Sequence, residues 1–344
     1  MSEQTSGLAG VPLSLTPLAR KDFASEAEVR WCPGCGDYAI LSIVQQAMAE
    51  LGIARENTVI VSGIGCSSRF PYYMDTYGIH SLHGRAPTLA TGIALARPDL
   101  SVWVVTGDGD GLSIGGNHLI HALRRNVNLT ILLFNNRIYS LTKGQPSPTS
   151  EQGKVTKTSP AGSLDAPFDP MQLALGAGAT FAARALDSDR VLLAEVLEAA
   201  ARHRGAAFVE IYQNCPIFND GAFDALKGKS PALLRLRHGE PVLFADGVRG
   251  VRRDPASGRL CPAQLTDPSE AIVHDAHDPD PSQAFALARL TDTAGLSLAP
   301  VGIFRSVEAP VFDDEARAQV RMPTASERLA RLQERVTGTD TWTV

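Results

Sequence analysis

The sequence predicts an α/β fold: a mostly parallel sheet flanked by helices, followed by an irregular C-terminal extension. Three observations carry this. Residues 102–105 are a β-branched and aromatic run that stops abruptly at Gly107-Asp108-Gly109-Asp110, so they read as a buried strand ending at a turn. Residues 111–125 space their larger apolar side chains as a helix does, and residues 129–134 form a second buried strand, so the three make a right-handed crossover unit. Two further strands, Thr58–Ser62 and Ala206–Tyr212, likewise stop at turns rich in Gly, Cys or Asn.

The 344 residues suffice for one large α/β domain and an appendage. A formal charge of −5 offers nothing that would draw nucleic acid, and no apolar run approaches the length of a membrane span. The first ten residues carry Glu3 and lack the basic and apolar regions of a secretory signal, so a cytoplasmic protein is expected. In that compartment the five cysteines serve a metal or catalysis rather than disulfides.

Taken in order, residues 1–29 are weakly patterned and read as a mobile or partner-hugging arm. Trp31-Cys32-Pro33-Gly34-Cys35-Gly36 places two sulfurs on one tight turn, ahead of an amphipathic helix over residues 38–50. Alone, that motif suits a redox dithiol, a zinc half-site or an iron–sulfur half-site. The strand Thr58–Ser62 ends in Gly63-Ile64-Gly65-Cys66-Ser67-Ser68, and His83-Gly84-Arg85 precedes a small-residue helix, Ala86–Ala96. Residues 146–168 are rich in Pro, Ser, Thr and Gly, a long loop over the site or at an interface. A helix over 190–204 leads into Ala206–Tyr212, which ends in Gln213-Asn214-Cys215-Pro216. This domain spans residues 30–220. Residues 221–344 carry turn formers and charges, with helical spacing over 282–289 and 325–336, and read as an extension that packs on its own domain or on a partner.

Function is written at the strand ends. Asp108 and Asn136 follow two strands and lie 28 positions apart, so parallel strands bring both to one edge of the sheet. An acid and an amide there offer the hard oxygens that suit Mg²⁺ or Ca²⁺, and Mg²⁺ completes its shell with phosphate oxygens and water. Glycines at 107, 109 and 111 are expected to let the backbone approach a bulky anion. With Cys66 and Cys215 at the ends of parallel strands too, the edge gathers both kinds of ligand where open α/β sheets bind.

Gly107-Asp108-Gly109, followed 25 residues later by Asn135-Asn136, resembles the thiamine diphosphate signature. The resemblance implies that Asp108, Asn136 and the backbone carbonyl of Ile138 hold Mg²⁺. Four cysteines, Cys32, Cys35, Cys66 and Cys215, are the complement of a [4Fe–4S] cluster; zinc takes the same number. Electron-rich thiamine adducts can be oxidised one electron at a time, which gives a neighbouring iron–sulfur cluster a purpose and a structural zinc none. Cys261, far downstream, reads as a free thiol.

The ordered set of Trp31-Cys32-Pro33-Gly34-Cys35, Gly63-Ile64-Gly65-Cys66, His83-Gly84-Arg85, Gly107-Asp108-Gly109-Asp110 and the stretch from Asn135 to Thr149 resembles the β subunit of the 2-oxoacid:ferredoxin oxidoreductases, most of all the 2-oxoglutarate type. That implies a thiamine diphosphate site lined by Ile64, Gly65, Cys66, Ser67, His83, Gly84, Arg85, Ala86, Gly109, Asp110, Ser140 and Leu141. It implies oxidative decarboxylation of 2-oxoglutarate with CoA to succinyl-CoA and CO₂, with electrons passing to ferredoxin, and the same chemistry run backwards fixes CO₂. Pyruvate or a broader range of 2-oxoacids is the alternative substrate, and a non-redox thiamine decarboxylase or ligase with a structural zinc is the alternative class. Lys143, close behind the metal loop, is a candidate cation for the far carboxylate of a dicarboxylic oxoacid. The carboxylate that activates the aminopyrimidine ring needs a second α/β domain, for which the sequence shows no second strand–helix series, so a partner α subunit is expected to supply it in an αβ or (αβ)₂ assembly. His118 and His121 read as helix-face residues.

Overall fold

The structure is a computed structural model describing residues 6–320 and 323–338. Residues 1–5 of the expected arm, and 321–322 and 339–344 of the extension, lie outside the described residues.

The first half of the chain runs α1 (Asp37–Leu51), β1 (Thr58–Ser62), α2 (Phe70–Tyr73), β2 (Tyr77–His80), α3 (Ala86–Ala96), β3 (Ser101–Gly107), α4 (Asp108–Leu112), α5 (Gly116–Arg124) and β4 (Leu129–Asn135). Then follow α6 (Pro170–Gly176), β5 (Phe181–Leu186), α7 (Arg190–Arg202) and β6 (Ala206–Tyr212). The remainder gives β7 (Leu233–Leu236), β8 (Leu243–Phe244), β9 (Arg249–Arg253), β10 (Leu260–Gln264), α8 (Ser282–Ala288), β11 (Ala299–Ser306), α9 (Phe312–Gln319) and α10 (Ala325–Thr337).

Eight strands form one sheet in the order β2-β1-β3-β4-β6-β5-β11-β7. The first six are mutually parallel; β11 runs antiparallel to β5 and parallel to β7. Side chains alternate between two apolar layers. Ile60, Trp103, Val105, Leu132, Phe134 and Val209 join the layer under α1 and α7. Val61, Val102, Val104, Ile131, Leu133 and Phe208 join the layer under α3, α5, α6 and α8. Both faces are therefore dry, which is why these strands read as unbroken apolar runs rather than as alternating patterns.

Several expectations change. The helix expected over 111–125 is two pieces: α4 starts at Asp108, and residues 113–115 break the run before α5. The arm packs on its own domain, with Phe23 buried and bridges from Leu13 to Ile53 and from Ala24 to Met74. Residues 221–344 are not all irregular, since β7 and β11 extend the main sheet and β8, β9 and β10 make a second, three-stranded sheet. The boundary at 220 thus falls inside one sheet system. Strand β5 escaped sequence reading because its alanine-rich Phe-Ala-Ala-Arg-Ala-Leu lacks β-branched residues, and β2 because it is a short, exposed edge. Among the described residues no helix is long and apolar enough to cross a membrane.

At the amino edge of the sheet, His203 is buried and its Nε2 lies 2.8 Å from Thr180 Oγ1. Burial disfavours its charged form and pulls its pKa from 6.5 to about 4. A depressed folded pKa means that the unfolded chain binds the proton first, so this contribution is whole above pH 6.5 and is lost as pH falls from 6.5 to about 4. The loss is on the order of 3 kcal/mol. His203→Gln, which keeps a polar partner for Thr180 and does not titrate, is expected to flatten the decline of Tm over that window; an unchanged pH slope in thermal denaturation would contradict the assignment.

Candidate active site at the carboxyl rim of the sheet

Strands β1, β3, β4 and β6 are neighbours and parallel, so the residues that follow them emerge on one rim. These are Cys66 after β1, Asp108 after β3, Asn136 after β4 and Cys215 after β6. The convergence expected from sequence is the one observed.

Asp108 is 2 % exposed, and its Oδ2 accepts hydrogen bonds from Ser147 Oγ at 2.5 Å and Thr149 Oγ1 at 2.6 Å. Burial pushes its carboxyl up to about 6, against the hydroxyls and nearby backbone N–H groups that favour the anion. The two hydroxyls belong to the long loop after β4, which therefore folds over the site. Sequence reading placed that loop but not these two residues; the closely spaced Ser147 and Thr149, each following a proline, were the available signal.

Asn135 and Asn136 divide the labour. Asn135 faces inward, donating to Glu210 Oε1 at 2.8 Å and accepting from the Arg137 N–H at 3.2 Å. Asn136 faces the cleft, where its Nδ2 donates to Ser140 Oγ at 3.2 Å and its Oδ1 accepts from the Ile138 N–H at 3.2 Å. Between them and the rest of the loop, Arg137 adopts a left-handed φ of 58°. That strained conformation is held by Ser150 Oγ donating to the Arg137 carbonyl at 2.7 Å and by the Arg137–Glu151 ion pair at 2.9 Å.

Asp108, Asn136 and Ile138 line a cleft together with Ile64, Gly65, Cys66, Ser67, His83, Gly109, Asp110, Ser140 and Leu141. Three of the anticipated lining residues stand apart from it. Gly84 forms the turn beneath, Ala86 is fully buried at the start of α3, and Arg85 directs a guanidinium nitrogen to the Ile114 carbonyl at 3.4 Å. Asp110 organises this corner: Oδ1 accepts from the Gly84 N–H at 2.8 Å and lies 2.6 Å from His83 Nδ1, while Oδ2 accepts from Thr106 Oγ1 at 2.6 Å. Lys143 is exposed on the loop that borders the cleft, with a φ of 85°. His118 and His121 lie on α5, as expected of helix-face residues.

The glycines of the signature answer to packing more than to anion approach. A Cβ on Gly109 would stand 2.2 Å from the Tyr139 ring, and one on Gly111 would stand 2.9 Å from Leu133. At Gly107 there is room, the nearest atom being Ser67 Oγ at 3.5 Å.

The cysteines occupy the same rim. Cys32 is exposed, Cys35 and Cys66 half-buried and Cys215 buried. Burial raises the Cys35 thiol, and Asp37, Cys215 and Cys66 lie near enough to raise it further. Burial also raises Cys66. Gln213 Nε2 donates to Cys35 Sγ at 3.2 Å, and Trp31 Nε1 donates to the Cys66 carbonyl at 2.6 Å. Among the described residues no three His, Cys, Asp or Glu side chains already stand at the spacing of a single-ion site. Cys261 lies elsewhere, on the edge strand β10 of the small sheet.

The fold and the Gly-Asp-Gly rim define a thiamine diphosphate enzyme domain: the family described as "Thiamine pyrophosphate enzyme, C-terminal TPP binding domain" matches residues 63–211. The chain is 61 % identical over 341 residues to the 2-oxoglutarate oxidoreductase subunit KorB of Mycobacterium tuberculosis, covering 98 % of this chain and 91 % of that one. It is 47 % identical over 199 residues to 2-oxoacid:ferredoxin oxidoreductase 2, subunit beta, of Aeropyrum pernix, covering 58 % of this chain and 64 % of that one. Among solved structures, the 2-oxoglutarate:ferredoxin oxidoreductase from Magnetococcus marinus, with 2-oxoglutarate, coenzyme A and succinyl-CoA bound, aligns at a TM-score of 0.70 with 36 % identity and 96 % coverage of each chain. The chain belongs to the β subunits of the 2-oxoacid:ferredoxin oxidoreductases.

A methyl group at position 109 would drive into the Tyr139 ring, whose hydroxyl donates to the Gly109 carbonyl at 2.9 Å. Gly109→Ala is expected to raise the apparent Kd for thiamine diphosphate by tenfold or more while Tm changes by only a few degrees; unaltered affinity in a fluorescence titration would contradict this packing role.

Proposed function

We propose that this chain is the β subunit of a 2-oxoglutarate:ferredoxin oxidoreductase, which converts 2-oxoglutarate and CoA to succinyl-CoA and CO₂ and passes two electrons, singly, to ferredoxin. The carrying observation is the shared rim, where Asp108, Asn136, Cys66 and Cys215 follow neighbouring parallel strands and the turn with Cys32 and Cys35 lies before the first helix. The identity to the mycobacterial subunit over nearly the whole chain supports the 2-oxoglutarate assignment.

The residues present fit the expected cofactors. Asp108, Asn136 and the Ile138 carbonyl are the oxygens that would hold Mg²⁺ and, through it, the diphosphate. A carboxyl buried enough to resist ionisation gains from a cation beside it. Cys32, Cys35, Cys66 and Cys215 would hold a [4Fe–4S] cluster. Buried thiols whose protons are held tightly are poor nucleophiles, and bound iron would draw out their thiolates. When bound, thiamine diphosphate stabilises the carbanion left by decarboxylation, and the cluster accepts electrons one at a time. The protein's own part is placement. Ser147 and Thr149 hold Asp108, Asp110 fixes the His83–Gly84 corner, and Ser140 restrains the Asn136 amide. Ile64, Gly65, Cys66, Ser67, His83, Gly109, Asp110, Ser140 and Leu141 would flank the cofactor, with Gly84, Arg85 and Ala86 supporting from behind. The cleft measures about 80 Å³, small beside ordinary ligand pockets of about 300–1,000 Å³, consistent with a site that an α subunit completes. Lys143 would face the distal carboxylate of the substrate. A cytoplasmic setting suits the ferredoxin partner.

The test is anaerobic co-purification with the partner subunit, followed by a 2-oxoacid panel with CoA and ferredoxin. CoA-dependent ferredoxin reduction greatest with 2-oxoglutarate is expected; turnover without ferredoxin reduction, together with stoichiometric zinc, would replace this reading by a non-redox thiamine enzyme. Lys143→Met is expected to lower kcat/KM for 2-oxoglutarate roughly 10- to 100-fold and to leave pyruvate nearly unaffected, and equal losses for both would remove the lysine from substrate selection.

A further inference from the structure

The turn after β6 carries one cysteine and reaches another. Gln213, two residues before Cys215, is 1 % exposed, and its Nε2 donates to Cys35 Sγ at 3.2 Å and to the Asn214 carbonyl. That carbonyl fixes which way the amide points. Turned over, the Gln213 oxygen would face another oxygen, so the NH₂ group takes this side, and each of its two protons has its own acceptor. The Asp37 backbone N–H points to the same sulfur. Gln213 is held in place by its main chain. Its N–H donates to the Asn135 carbonyl at 3.0 Å, which extends the pairing of β4 with β6. The Asn214 carbonyl also accepts from the Gly36 N–H at 3.1 Å, and the Asn214 N–H donates to Asp187 Oδ2 at 2.8 Å. The two cysteine turns thus lie against each other, so closely that a Cβ on Gly36 would stand 1.9 Å from Asp187 Oδ2.

An amide buried this deeply needs both protons satisfied, and a neutral thiol is a weak acceptor for one of them. A thiolate bound to iron is anionic, which makes the same contact a charge-assisted hydrogen bond. Hydrogen bonds to cluster sulfurs shift the reduction potential, and they shift it upward, because each electron taken up adds negative charge that the donor stabilises. We propose that Gln213 is a potential-setting residue: its N–H···S bond to Cys35 makes the [4Fe–4S] cluster easier to reduce, and so a better acceptor of the electrons released in oxidative decarboxylation. This rests on the reading of the four cysteines as cluster ligands. It gives the turn after β6 a double part, since Cys215 would hold the cluster and Gln213 would set how readily it takes an electron.

The test measures a potential rather than turnover, in the anaerobically purified complex with its partner subunit. Iron is assayed, and the electron paramagnetic resonance of the reduced cluster is followed over a series of poised potentials, for wild type and Gln213→Met. Met keeps nearly the volume of Gln, so water stays excluded while the donor is lost. Gln213→Met is expected to lower the equilibrium constant for one-electron reduction about tenfold, a downward shift of about 59 mV at 59 mV per decade. A constant within a factor of two of wild type in the iron-loaded variant, or an upward shift, overturns the role of Gln213. Should the variant fail to fold or to take up iron, the wild-type complex decides by itself. With nitrogen-15 in its glutamine side chains, pulsed resonance of the reduced cluster is expected to show a nitrogen-15 coupling, and its absence overturns the bond. The two ideas separate cleanly: a wild-type complex without iron removes the cluster reading itself, whereas iron with an unshifted potential in Gln213→Met removes only the role of Gln213.

Discussion

Parallel pairing of β1, β3, β4 and β6 is the constraint on which the rest depends. Parallel neighbours end at the same edge, so four turns far apart in sequence are forced onto one rim. If one of those strands ran the other way, Cys66, Asp108, Asn136 or Cys215 would lie at the opposite edge, and its turn would contribute nothing to the site. The pairing is specified by apolar runs that bury both faces, with Trp103 and Phe208 fully enclosed on opposite sides of the sheet. Core packing and the assembly of this rim are thus one event, because the residues that dry the sheet also bring these four side chains to one edge.

The two halves of the rim face the same demand. Around Asp108 burial works against the anion, and Ser147 and Thr149 lean the balance back with short hydrogen bonds. Around Cys35 and Cys66 burial works against the thiolate, with Gln213 reaching the Cys35 sulfur and Ser140 the Cys66 sulfur. In both places the apolar surroundings leave a group that favours a cation over a proton once the cation is present. Binding of such a cation would stabilise the folded chain.

Much of this was legible in the sequence, and the reason is local. Thr58–Ser62 and Ala206–Tyr212 are β-branched or aromatic runs closed by turn residues, and Ala86–Ala96 is a clear helix; each is found where it was read. The turns that carry Cys66, Asp108, Asn136 and Cys215 follow such strands directly, so placing the strands placed these residues. What escaped depended on tertiary context. The alanine-rich β5 gains its strand character from β6 and β11 on either side. Strand β11 lies in a segment whose turn formers disguised it, and Ser147, Thr149 and Glu210 acquire meaning only when the loop after β4 folds back over the rim. Arg85 was read by its charge, yet it spends its guanidinium on the Ile114 carbonyl.

The central claim is that the metal-anchored diphosphate and the cysteine cluster share one rim closely enough for electrons to pass. Replacing Mg²⁺ by Mn²⁺ in the anaerobically purified complex turns the metal site into a spin probe. Electron paramagnetic resonance of the Mn²⁺ before and after reduction of the cluster reports their proximity directly. The account predicts an iron–sulfur signal on reduction and a Mn²⁺ spectrum broadened and more quickly relaxing beside it. A Mn²⁺ spectrum unchanged by reduction, or a protein holding zinc and no iron, would contradict it.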